Sequence, residues 1–268
     1  MERRLAVMAG AGVLPGRAAA EAVRQGWRVI ALAFDQAAGL EAHSEVVVPS
    51  TITDIQGVLR TLADERVQAA VFVGKFWKRR VFDELGDTDQ AGRDLARSGL
   101  SDDALASMVV ATLTTMGIEV LDQRPFLSPW MMGPGTLTSR EPSPAEWEEI
   151  RAGFALARSL AEHGIGQTVV RSRGVTLAVE AAEGTDETIR RGARLAGRGA
   201  VVVKAVAPGH DFRFDVPTVG PATLAAMAEG GATALAVDGN RVLFVDREET
   251  VRAADRAGIT VVGLDDGS

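Results

Sequence analysis

A short apolar run at residues 5–8 stops at Gly10-Ala11-Gly12 and passes directly into an amphipathic pattern, and that unit recurs along the chain. After the glycines, Val13, Leu14, Ala18, Ala22 and Val23 are apolar while Arg17, Glu21 and Arg24 lie between them. This is the spacing of a helix with one buried face. Gly26 ends it, and further apolar runs follow at residues 29–34, 46–48, 69–73 and 118–121. Helical patterns at 52–63 and 103–116 separate the later runs. Strands alternating with helices predict an α/β fold whose parallel sheet is covered on both faces.

Residues 125–144 interrupt the alternation and hold five of the ten prolines, Pro125, Pro129, Pro134, Pro142 and Pro144. That concentration marks a connector. The expected domains are residues 1–132 and 133–268. Beyond the connector, a helix is expected at 145–163, with others at 186–196, 223–228 and 247–257. Strands are expected at 168–171, 175–179, 200–203, 234–237, 242–245 and 260–262. Ser172-Arg173-Gly174 separates two of these runs and reads as a hairpin turn, so the second sheet is expected to be mixed.

Several function classes are excluded early. The chain has no cysteine and only His43, His163 and His210, which removes thiolate chemistry and a histidine-rich metal centre. A net charge of −7 argues against a nucleic-acid partner. The two longest charge-free stretches, 104–118 and 125–139, are 15 residues each. A membrane span needs about 20 residues. Residues 5–15 lack a convincing leader cleavage site, so a cytoplasmic protein is expected, with peripheral membrane contact left open.

Three features suggest chemistry. Gly10 and Gly12 lie between a strand and a helix, where a nucleotide or sugar phosphate could bind, although a plain tight turn fits the same residues. Pro15 stands where a dinucleotide fingerprint has its third glycine, and Asp35 ends the second run where a ribose-binding acid would sit. In the second half, polar segments occur at 164–168, 180–186 and 210–221. If 211–216 is extended, Asp211, Arg213 and Asp215 share one side and Phe212, Phe214 and Val216 the other. Two carboxylates flanking a guanidinium could hold a cation beside a phosphate, or form a solvated ion pair. Thr185 or Asp186 is expected to cap the following helix, while capping leaves Glu180 and Glu183 unexplained. Lys204 ends an apolar strand, which suits an anionic partner or a surface role.

These segments, in this order, resemble the LpxI family, the UDP-2,3-diacylglucosamine pyrophosphatases of lipid A biosynthesis. The resemblance rests on residues 9–15, Gly74-Lys75, residues 102–105, 135–142, Gly166-Gln167-Thr168-Val169, residues 180–186, Lys204 and residues 211–223. It implies a Rossmann-like N-terminal domain with a parallel sheet and a distinct C-terminal α/β domain of mixed sheet. It also implies Mg²⁺-dependent hydrolysis of UDP-2,3-diacylglucosamine to lipid X and UMP, and places the catalytic aspartate at Asp215. Combined with the residue reading, Asp215, Asp186, Glu183 and Asp211 are the expected ligands of Mg²⁺ or Mn²⁺. Gly10, Gly12, Lys75, Gln167, Thr185, Lys204, Arg213 and Thr218 are expected to bind substrate. Phe126, Leu127, Trp130, Met131 and Met132 are expected either to line an acyl pocket or to pack between the two domains. The expected partner is the lipid-linked sugar nucleotide, with no nucleic acid. Transient inner-membrane contact and a homo-oligomer stay open. An NAD(P)-dependent oxidoreductase and a non-catalytic sugar-nucleotide sensor remain as alternatives.

Overall fold

The first apolar run forms β1 (Arg4–Ala9), and the amphipathic pattern after it forms α1 (Leu14–Arg24). A computed structural model describes residues 2–52, 54–76 and 102–265. The chain divides into two compact units, residues 1–128 with 211–215, and residues 129–210 with 216–268.

In the first unit β2 (Arg28–Ala33), β3 (Val46–Pro49), α2 (Ile55–Asp64), β4 (Ala69–Val73), α3 (Asp102–Thr115), β5 (Glu119–Val120) and the short α4 (Arg124–Leu127) follow. The strands order β3-β2-β1-β4-β5, and every pair is parallel. One face buries Ala6, Met8, Ile30, Leu32 and Ala70 under Leu62 of α2 and Leu113 of α3. Helix α1 lies against β1, β2 and β4 and buries Ala18, Ala19 and Ala22 completely. The strand order reverses between β1 and β4, which creates a crevice at the carboxyl ends of those two strands.

The second unit contains β6 (Gly135–Thr136), α5 (Pro144–Glu162), β7 (Thr168–Ser172), β8 (Val175–Val179), α6 (Thr185–Ala196), β9 (Ala200–Lys204) and β10 (Thr218–Val219). It continues with α7 (Pro221–Gly230), β11 (Ala232–Asp238), β12 (Leu243–Phe244), α8 (Arg247–Ala257) and β13 (Thr260–Leu264). Its main sheet orders β6-β13-β11-β9-β7-β8 and is mixed: β9, β11 and β13 are parallel, while β7 and β6 run against their neighbours. Along β9, Ala200 and Val202 face one core and Val201 and Val203 the other. Burial on both faces is why these strands read as continuous apolar runs rather than alternating ones. The carboxyl ends of β8, β9 and β11 and the amino end of β7 share one edge of this sheet. The β7–β8 hairpin turns at Arg173 and Gly174, whose φ angles of 52° and 78° match the twist of its strands.

The connector carries α4, a 3₁₀ turn at Ser128–Trp130 and β6, an edge strand on β13. Two-residue strands leave no periodicity to read. Residues 212–214 form a turn rather than a strand, and β10, which pairs with β12, follows it.

The connector is fastened by Arg140, which makes a double contact with Glu146 at 2.7 and 3.0 Å and donates to Thr233 O at 2.6 Å. Glu146 also closes a capping box with Ser143 at the start of α5. Burial would push the Glu146 carboxyl up, but the Arg140 guanidinium and the Ser143 N–H outweigh it and hold the pKa at about 2 against an ordinary 4.5. A carboxyl whose pKa falls on folding stabilises fully above its unfolded value and loses that contribution as pH drops through the folded one. Glu146→Gln is therefore expected to cost about 1.5–3 kcal/mol at pH 7. The gap from wild type should close as pH falls from 4.5 to about 2, read from urea midpoints across that range. A gap independent of pH would contradict the assignment.

Candidate active site

The glycine turn uses its amides internally. Gly10 N–H donates to Val73 O, Ala11 N–H to Lys75 O and Gly12 N–H to Gln36 O, at 2.9–3.0 Å. Lys75 N–H returns to Ala11 O at 2.9 Å, so β1 and β4 stay paired beyond their ends. A Cβ on Gly10 would lie 2.8 Å from Lys75 O, and this close approach is what requires glycine there. Gly12 has φ +109° with open space where a Cβ would point. It borders a crevice of about 530 Å³ lined also by Val13, Asp35, Gln36, Leu40 and Glu41. The turn can thus line a ligand at Gly12, but the three amides are not a phosphate cradle.

A chain of aromatic rings gathers the polar groups of this unit. Phe34 packs on Phe76 at 6.0 Å, Phe76 on Phe72 at 6.3 Å, and Phe72 on Phe214 at 5.1 Å between ring centroids. Phe34 precedes Asp35, Phe76 follows Lys75 and Phe214 precedes Asp215. The rings thereby bring Lys75, Asp35 and exposed Asp215 to the carboxyl edge of the first sheet. Phe212 is buried beneath the Arg124 guanidinium, 3.9 Å from its ring centroid, and its carbonyl accepts from Gln123 N–H at 3.2 Å. The aromatic anchoring expected for 211–216 therefore holds although the backbone turns. Arg213 is engaged by Asp211, with Nε–Oδ1 at 2.9 Å and Nη2–Oδ2 at 2.7 Å. That contact raises the guanidinium pKa.

In the second unit the other polar segments converge. Lys204 is 6% exposed at the end of β9, and its Nζ donates to Thr185 Oγ1 at 2.7 Å. The Thr185 hydroxyl donates in turn to Glu180 Oε1 at 2.8 Å. Gln167 N–H reaches Glu180 Oε2 at 3.4 Å. A Cβ on Gly166 would lie 2.1 Å from Glu180 O, so glycine is needed for that packing. The cap of α6 is Gly184, with φ 83°, not Thr185 or Asp186. The left-handed backbone selects glycine, and the Thr185 hydroxyl is committed to Lys204 and Glu180. The result is an ammonium beside a helix amino terminus at a sheet's carboxyl edge, a setting suited to a phosphate group. Thr218 donates locally to Val216 O at 2.9 Å.

The described residues do not form a ready-made metal centre. Among the described residues no three carboxylates or histidines are placed to hold an ion. Glu183 accepts from Arg191 at 2.5 Å and from Thr188 at 3.2 Å, and Asp211 is paired with Arg213. Asp186 lies in the first turn of α6, where a negative charge complements the helix dipole. Of the expected acyl-pocket residues, Phe126, Leu127 and Met132 are core, at 3%, 0% and 0% exposure.

The aromatic chain and the role of Glu180 lay beyond sequence reasoning. The available signal was a phenylalanine adjoining each of Asp35, Lys75 and Asp215.

The family described as LpxI N-terminal domain matches residues 4–130, and LpxI C-terminal domain matches 133–262. The chain is 31% identical over 279 residues to the UDP-2,3-diacylglucosamine pyrophosphatase LpxI of Caulobacter vibrioides, covering 98% of each protein. Among solved structures, glycinamide-RNase-transformylase T from Mycobacterium tuberculosis is 15% identical, covering 67% of this chain and 44% of that one, with a TM-score of 0.26. N5-carboxyaminoimidazole synthetase from Staphylococcus aureus is 11% identical over 72% of this chain and 45% of that one, with a TM-score of 0.28. This chain thus spans under half of each, and neither likeness carries an argument. The chain belongs to the LpxI family.

The Lys204 contacts make a contrast in stability testable. Thr185→Val takes the shared hydroxyl from a buried ammonium and from Glu180, and is expected to cost about 1–3 kcal/mol in urea unfolding. Lys204→Met replaces the buried charge by an apolar stem of similar length and is expected within about 1 kcal/mol of wild type. A Lys204→Met protein destabilised as much as Thr185→Val would show that the lysine serves the fold.

Proposed function

We propose that the chain hydrolyses the diphosphate of UDP-2,3-diacylglucosamine to UMP and lipid X, a cytoplasmic step of lipid A biosynthesis. The observation that carries this reading is the end-to-end match to the Caulobacter relative of that name. In the reaction a water oxygen bonds to one phosphorus, and the bond from that phosphorus to the bridging oxygen breaks. The bridging oxygen leaves with the electron pair, and the water's proton passes to a carboxylate.

Asp215 is the residue assigned to take that proton. It is exposed at the carboxyl edge of the first sheet, where the Phe214–Phe72 contact orients its neighbour. In the first unit Lys75 is assigned to a phosphate oxygen; in the second, considered by itself, Lys204 is the residue suited to one, with Thr185 and Gln167 bordering it. Gly12 lines the substrate beside its crevice, with Gly10 behind it. Arg213 and Thr218 contribute by holding the segments on either side of Asp215.

Mg²⁺ is proposed to arrive with the diphosphate, since this ion characteristically keeps several waters and binds through one or two carboxylates plus substrate phosphates. When bound it offsets diphosphate charge. A diacylated substrate resides in a membrane, so collecting it calls for transient contact with the inner-membrane surface. Among the described residues no helix is long and apolar enough to cross one. The internal use of the Gly10, Ala11 and Gly12 amides disfavours the oxidoreductase alternative, because a dinucleotide pyrophosphate needs those donors.

Incubation with UDP-2,3-diacylglucosamine and Mg²⁺, followed by mass spectrometry, should yield UMP and lipid X in equal amounts. EDTA should stop turnover, and Mg²⁺ or Mn²⁺ should restore it. Binding without products would favour a sensor, and full turnover in EDTA would remove the cation.

A further inference from the structure

Segment 211–215 groups with the first unit, but the residues on either side of it group with the second. The approach is a turn, Ala207-Pro208-Gly209-His210, in which His210 N–H donates to Ala207 O at 3.1 Å. Arg241 Nη2 donates to the same Ala207 O at 2.6 Å and to Pro208 O at 3.1 Å. On the return, Leu243 N–H donates to Pro217 O at 2.8 Å and Val245 N–H to Val219 O at 2.9 Å. β10 then pairs with β12. Residues 241–245 therefore hold both ends of the excursion that bears Asp215.

Arg241 is itself held at considerable cost. Asp238, 1% exposed at the end of β11, lies 3.8 Å from Arg241 Nε. It also accepts from Arg158 Nη2 at 3.3 Å and from Val206 N–H at 3.4 Å. Buried ion networks are often no more stabilising than apolar packing, so their presence calls for another explanation. A guanidinium can span two successive carbonyls in a fixed geometry, which an apolar replacement cannot do.

We infer that Arg241, oriented by Asp238, is a positioning residue that fixes the approach to the Asp215 segment. The inference rests on the proposed hydrolysis with Asp215 as its base. Displacing a catalytic group by about 1 Å can cost about 100-fold in rate. Arg241→Ala is accordingly expected to lower kcat about 10–100-fold with KM changed little. Millimolar guanidine should restore part of that kcat, and Arg241→Lys should retain an intermediate rate. Hydrogen exchange should speed up at residues 205–219 in Arg241→Ala, with distant strands unaffected.

A folded Arg241→Ala protein with wild-type kcat overturns the inference, as does lost activity that tracks only the unfolded fraction and does not respond to guanidine. If Arg241→Ala does not fold, a wild-type rate in Arg241→Met, which keeps an unbranched stem but offers neither carbonyl a donor, also overturns it. A wild-type enzyme that leaves UDP-2,3-diacylglucosamine intact would instead sink the proposed reaction and this role with it. The exchange data would then still decide whether Arg241 clamps the turn.

Discussion

A five-residue excursion can be reproducible only if both of its ends are fixed, and residues 207–219 meet that constraint. Ahead of residues 211–215, the chain turns at Pro208 and Gly209, and the Ala207 and Pro208 carbonyls accept from Arg241. Behind them, Pro217 and β10 pair with β12. Within the excursion, Phe212 and Phe214 are anchored by Arg124 and Phe72. Aromatic side chains suit this work because each buries a large area through only two rotatable bonds. Asp211 and Arg213 pair within the excursion.

Both sheets gather polar side chains at the carboxyl edge, where parallel strands end and helices begin. They do so differently. The first sheet closes its glycine turn with backbone hydrogen bonds and offers side chains gathered by aromatic rings. The second offers a buried ammonium whose hydroxyl neighbour is shared with a carboxylate. Neither arrangement is the backbone cradle that a glycine-rich turn suggests on its own.

Much of this organisation is legible in the sequence. The parallel sheet follows from apolar runs alternating with amphipathic ones, and the hairpin from Arg173-Gly174. The mixed second sheet follows from that hairpin. Lys204 stands out as a charge at the end of an apolar run, and Asp215 through its flanking phenylalanines and proline. The parts that stay hidden depend on contacts between residues far apart in the chain. Gly10 looks like a ligand turn because its neighbour Lys75 is 65 positions away, and the packing between them is invisible to local pattern. Thr185 looks like a cap because threonine favours caps, but its hydroxyl is drawn to Lys204 and Glu180. The Asp238–Arg241–Arg158 network leaves no sequence signal, since isolated arginines usually lie at the surface.

The account depends most on Asp215 acting as the reacting carboxylate rather than as a surface charge. Single-turnover kinetics of folded Asp215→Asn on UDP-2,3-diacylglucosamine, at saturating enzyme, tests this directly. The account predicts substrate binding close to wild type and a cleavage rate lower by about 10²–10⁴. A cleavage rate near wild type would contradict it.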